Sequence, residues 1–110
     1  MNATVHDYLS LLGYLLLRHG KTSRAISILE ALLALQPGNL WARRTLAYAF
    51  LEAGQHEQCL QELDFVAAAG TTETNDQLLR SRALWGLDRQ QEAREIIRTM
   101  NGNLRNLDAR

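Results

Sequence analysis

The sequence predicts an all-α chain of three helix–turn–helix repeats stacked side by side as an α-solenoid. Three observations predict it. The stretch Leu9–Pro37, LSLLGYLLLRHGKTSRAISILEALLALQP, reads as two short helices folded back to back, with Gly20 at the turn and Pro37 after the end. Small residues at Gly13 and Ala25 let the two helix backbones approach closely, and Gly20 accepts the positive φ that a helix stop requires. The same pattern then returns at a spacing of 34 residues: Ala25, Cys59 and Ala93 share one column, Leu29, Leu63 and Ile97 a second, Leu16, Phe50 and Leu84 a third. Gly13 is answered by Ala47, Gly20 by Gly54, and Leu32 by Val66 and Met100. A single helical pair cannot bury its apolar face, so successive pairs must stack to share one core.

The first helix is expected from about Val5 to His19. Thr4 caps it, and Asp7 places negative charge in the first turn, where the helix dipole favours it. Leu9, Leu12 and Leu16 form one face, and Tyr8, Leu11, Tyr14, Leu15 and Leu17 make the rest apolar too, although no earlier repeat covers this helix. The second helix spans about Ser23 to Leu35, with Ala25, Leu29 and Leu32 toward the first, and Pro37-Gly38 stops it. Asn39 caps a third helix, about Leu40 to Ala53, with Leu46, Ala47 and Phe50 inward; Gly54 turns the chain. The fourth, about Glu57 to Ala69, points Cys59, Leu63 and Val66 inward and ends at Gly70-Thr71-Thr72. The fifth, about Thr74 to Trp85, opens on a Thr74/Gln77 capping box and carries Arg80 in the slot of Leu12 and Leu46. After Gly86-Leu87-Asp88, the sixth runs from about Arg89 to Met100 with Ala93, Ile97 and Met100 inward. One domain thus occupies residues 1–100, with repeats over about 6–39, 40–73 and 74–100. Residues 101–110, NGNLRNLDAR, are expected as a frayed tail too short for a full capping helix.

Composition narrows the function. The 110 residues carry twelve basic and twelve acidic side chains, so no net charge argues for nucleic acid or an anionic membrane. The single cysteine, Cys59, cannot form an internal disulfide and is expected as a core residue in a reducing compartment. The opening MNATVHD has no Lys or Arg ahead of its apolar run, unlike a signal peptide, and the run Tyr8–Leu17 falls short of the roughly 20 residues that span a bilayer. His6, His19 and His56 sit at different helix ends without metal-ligand spacing. Arg43-Arg44 and Glu92/Glu95 read as solvated helix faces. No phosphate loop, nucleophile elbow or Ser/His/Asp set is visible, so no catalytic residue, cofactor or metal is expected.

The columns resemble the tetratricopeptide repeat. Its pattern W-x2-L-G-x2-Y…A-x3-F…P is met by Leu9, Leu12, Gly13, Leu16, Ala25, Leu29 and Pro37, with aliphatics for aromatics, and the resemblance covers about residues 5–100. It implies a right-handed superhelix that binds other proteins. In that family the first helix of each pair lines a concave groove. Carried over by register, the partner-binding positions are Tyr14, Leu17, Trp41, Arg44, Tyr48, Leu51, Leu78, Arg82 and Trp85. Tyr14, Tyr48 and Arg82 form one column, Leu17, Leu51 and Trp85 another. Their aromatic, aliphatic and arginine content is that of a binding hot spot rather than of a merely solubilising face, and Arg44 and Arg82 are positioned to meet client carboxylates. Family members that grip the C-terminal carboxylate of heat-shock proteins use a Lys and an Asn where this chain has Ser10 and Tyr14, so that mode is not expected.

The opening LLGYLLLRHG, followed by RAISILEALLALQPGNLWARR, is similar to the small three-repeat chaperones of bacterial type III secretion, and within them to the YscY (PscY) type, most clearly over residues 9–46. That resemblance implies a cytoplasmic bacterial chaperone whose client is a YscX-type protein, a small exported component. A generic scaffold subunit and the co-chaperone of the secretion needle share the same size and helical content. A chaperone with an apolar groove and open ends is expected to self-associate when alone.

Overall fold

A computed structural model describes the backbone of residues 4–108 and the side chains of residues 4–102. Six helices follow one another: α1 (Val5–Arg18), α2 (Thr22–Leu35), α3 (Leu40–Glu52), α4 (His56–Ala68), α5 (Thr74–Gly86) and α6 (Gln90–Asp108), with no strand among the described residues. They form three antiparallel pairs, each packed on the next as a helix–turn–helix α-solenoid. No helix among the described residues is long and apolar enough to cross a membrane.

The helix ends follow from local chemistry. Thr4 Oγ1 accepts from the Asp7 amide at 3.2 Å and Asp7 Oδ2 accepts from the Thr4 amide at 3.1 Å, a capping box. These bonds hold the Asp7 carboxyl below the usual carboxylate range, the Thr4 amide first among the causes. Asn39 Oδ1 accepts from the Ala42 amide at 3.0 Å and starts α3. All three turns within pairs close alike. The amides of Lys21, Gln55 and Arg89 donate to the carbonyls of Leu16, Phe50 and Leu84 at 2.8, 2.8 and 2.9 Å, the long bond of a Schellman motif. That motif needs a left-handed residue before the donor. Gly20 (φ 74°) and Gly54 (φ 77°) supply it in the first two pairs, and Asp88 (φ 59°) in the third. The expected turn at Gly86-Leu87-Asp88 therefore pivots on Asp88. Gly86 belongs to α5, and the His56 ring lies 2.5 Å from where its Cβ would stand. An Asp in this conformation costs energy that Gly does not. Asp88→Gly is expected to stabilise the chain by about 0.5–1 kcal/mol, read as a rise of several degrees in the calorimetric midpoint.

Packing follows the 34-residue register. Ala25, Cys59 and Ala93 are all buried at the pair interfaces. Leu29, Leu32, Leu46, Leu63 and Val66 fill the space between layers. A Cβ on Gly13 would meet Leu29 Cδ2 at 3.0 Å, which is why α1 crosses α2 so closely. Burial pushes the Cys59 thiol up to about 11, against a small opposing pull from Arg80 and Arg82, so it stays protonated and inert at neutral pH.

Several expectations are corrected. The capping box of α5 uses Asp76 rather than Gln77: the Glu73 amide donates to Asp76 Oδ2 at 2.8 Å, because Arg44 fixes that carboxylate in place. Arg43 is not a solvated residue. It pairs with Glu62 at 3.0 Å, donates to the Pro37 carbonyl and lies 4.0 Å from the Phe65 ring centroid, tying the α2–α3 turn to α4. Arg80, in the slot of Leu12 and Leu46, reaches Asp64 of α4 at 2.9 Å, so an ion pair replaces an apolar contact between α4 and α5. Ile97, expected inward, is exposed: among the described residues no helix packs on this face of α6. Residues 101–108, expected as a frayed tail, continue α6 as helix. No proline interrupts them, and the apolar spacing of Ile97 and Met100 goes on at Leu104 and Leu107. Residues 109 and 110 of that tail lie outside the described residues.

Helix α1 has an open outer face. Tyr8 is 66% and Leu12 44% exposed, and Val5, Leu11 and Leu15 are exposed beside them. Shifted by one repeat, Tyr8, Leu12 and Leu15 become Ala42, Leu46 and Ala49, all buried where α3 packs on α2. The α1 face has the make-up of a stacking surface and is uncovered among the described residues.

Candidate functional site

The curvature comes from which helices touch. The backbones of α1 and α3, and of α3 and α5, approach closely, whereas those of α2, α4 and α6 do not approach one another among the described residues. The first helices of the pairs are thus drawn together and line the inner side. There they enclose a groove of about 1010 Å³. Tyr14 and Leu17 of α1, Trp41, Arg44 and Tyr48 of α3, and Leu78 and Arg82 of α5 all line it. Trp85 lies just beyond, 54% exposed, in an adjoining pocket of about 680 Å³ between α5 and α6. Ser81, Arg82 and Ile97 border both spaces and make them one surface.

Leu51 does not belong to this surface. It is 7% exposed and packs in the core. Leu17, Leu51 and Trp85 occupy equivalent places, but α3 is the middle first helix and has neighbours on both sides. The same position is therefore half-buried on α1, buried on α3 and exposed on α5.

Two features of the groove differ from the sequence expectation in chemistry rather than in place. Arg44 is already committed: its Nε donates to both Asp76 oxygens at 3.0 and 3.1 Å, and its Nη2 donates to the Thr71 carbonyl. Asp76 is only 4% exposed, so this is a buried pair joining α3 to α5 and not a free hand for a client carboxylate. The hydrogen bond to Asp76 also raises the Arg44 pKa further above its ordinary value. Arg82 differs: its side chain is mostly exposed and its nearest carboxylate oxygen, on Glu52, is 3.8 Å away. On α1, Tyr14 Oη accepts from Arg18 at 3.0 Å, which holds the Arg18 pKa up. The Ser10 hydroxyl donates to the His6 carbonyl of its own helix at 2.8 Å.

Sequence reasoning missed Arg18, Asn75, Asp76, Leu79 and Ile97 in the groove and Arg94 and Arg98 in the pocket. One signal was available: Asp76 falls in the column of Tyr8 and Ala42, and an acid in a packing column calls for a cation such as Arg44 nearby. Among the described residues no group of three or more His, Cys, Asp or Glu side chains is placed to hold a metal ion. The groove offers aromatic faces, aliphatic patches and guanidinium donors, which suit a protein segment laid along it.

A family model described as tetratricopeptide repeat matches residues 16–75, more than half of the chain. No curated protein matches it.

Proposed function

This chain belongs to the tetratricopeptide repeat family, a protein-interaction fold, and we propose that it is a non-enzymatic chaperone whose concave groove holds a helical segment of a client protein. The observation that carries this reading is the unbroken exposed strip of Tyr14, Trp41, Tyr48, Leu78 and Trp85 across three successive first helices. Such a contiguous apolar surface on a small chain marks an interaction site. An amphipathic helix laid across it buries its apolar side chains there.

The finer reading is a cytoplasmic chaperone of bacterial type III secretion with a YscX-type exported protein as client. It is supported by the similarity of residues 9–46 to the YscY type, and it requires nothing of the site beyond the groove. The test is co-expression with a YscX-type protein. Alone, the chain is expected to self-associate through the open α1 face, and with the client to elute as one discrete complex. Leu12→Arg, which copies the residue the third repeat carries at this place, is expected to reduce self-association while leaving helical content unchanged. A stable monomer at high concentration that forms no complex with the client contradicts the proposal.

A further inference from the structure

The chain is neutral, but its charges are not evenly spread. Among the described residues, Arg18, Arg44, Arg82, Arg94 and Arg98 line the groove and the adjoining pocket against Glu73 and Asp76, and both of those carboxylates are taken by Arg44. On the other face of α5, the cleft between α4 and α6 holds Glu57, Asp64, Glu92 and Glu95 against Arg80 and Arg89. The formal balance of the sequence therefore hides a basic concave side and an acidic opposite side.

The imbalance is sharpest around Trp85. Among the described residues the pocket there has no acidic side chain in its lining. Arg94 has no carboxylate partner among the described residues, and its guanidinium lies 5.9 Å from the Trp85 ring centroid. Arg82 reaches Glu52 only at 3.8 Å, and Arg98 holds Glu95 through an exposed pair one turn away, an arrangement of small net strength. Guanidinium groups flank an indole and the exposed Ile97. Arginine forks match carboxylates in geometry, and the indole and Ile97 accept a large apolar side chain between them.

From this juxtaposition we infer that the α5–α6 end of the groove selects an acidic amphipathic segment of the partner protein: a large apolar side chain seats on Trp85 and Ile97 while carboxylates on either side of it pair with Arg82 and Arg94. The inference rests on the groove reading and adds its charge specificity. The basic inner side also draws an acidic segment toward the groove before contact, an effect that salt screens.

The test uses three labelled synthetic peptides of one length and one leucine–phenylalanine spacing, with Glu, Gln or Lys at the polar positions, titrated with the full chain by fluorescence anisotropy. The Glu peptide is expected to bind about tenfold more tightly than the Gln peptide, and the Lys peptide not at all. That advantage is expected to vanish at high salt and in the Arg82→Gln/Arg94→Gln double variant, with circular dichroism unchanged. Equal binding of the Glu and Gln peptides overturns the acidic selectivity and leaves the groove reading standing. Binding by none of the three removes both. A single-stranded oligonucleotide that displaces the Glu peptide, or self-association dissolved by Arg94→Glu, overturns the inference by assigning the arginines to phosphates or to the acidic face of a second copy.

Discussion

Replacing Trp85 or Tyr48 by alanine is expected to weaken client binding by about thirtyfold each, the equivalent of about 2 kcal/mol for losing a buried aromatic anchor. Both side chains are exposed in the free chain and neither belongs to the core, so truncation removes contact area without opening a cavity. Helical content by circular dichroism is therefore expected to stay at the level of the parent. Glu30→Ala, on the exposed side of α2 away from the groove, provides the reference. Isothermal titration with the client measures the effect. An affinity loss in the two groove variants no larger than in the reference places the binding surface elsewhere, with the open α1 face as the next surface to examine.

Arg44→Ala is expected to lower folding stability by about 2–3 kcal/mol, because it leaves the Asp76 carboxylate buried with its cation gone. The Glu73 amide still donates to Asp76 Oδ2 at 2.8 Å, which keeps the loss below that of a wholly stranded charge. The same substitution also unties the Thr71 carbonyl, so the segment between α4 and α5 loses its anchor to α3. Arg82→Ala makes the contrast. Its pair with Glu52 is long and exposed, and its stability effect is expected to stay within about 0.5 kcal/mol. Urea denaturation midpoints separate the two. An Arg44 variant as stable as the Arg82 variant contradicts the structural role assigned to the Arg44–Asp76 pair.

The register of the fold is legible in the sequence because each repeat solves the same packing problem. Ala25, Cys59 and Ala93 are small or compact where two helices cross, and the carbonyls of Leu16, Phe50 and Leu84 close the same turn three times. What the register leaves out is how many neighbours each copy of a position has. Leu51 shares a column with Trp85, yet Leu51 sits on a helix with first helices on both sides and is buried, whereas Trp85 sits on one with such a neighbour on one side among the described residues and is exposed. Substituted turn residues mislead in a second way. A glycine at 86 suggests the pivot, but Gly86 is small because His56 packs on it, while Asp88 takes the left-handed conformation in register with Gly20 and Gly54. Charge pairs across helices are the third gap. Arg44 and Asp76 lie far apart in sequence; the packing column marks Asp76 as needing a cation, but Arg44 is identified as that cation only when α3 and α5 are placed side by side. The end of α6 was obscured by Asn and Gly in residues 101–103, poor helix formers that the surrounding apolar spacing carries through.

The claim that the concave groove receives the client is tested most directly by the chain's own fluorescence. Trp41 and Trp85 are its two tryptophans, both are exposed, and both line the inner side. Acrylamide quenching of the full chain, with a client in which every tryptophan is replaced by phenylalanine, reports on the groove alone. Saturating client is expected to shift the emission to the blue and shield both indoles from the quencher. Quenching that stays at the level of the free chain, with the complex formed, contradicts binding in the groove.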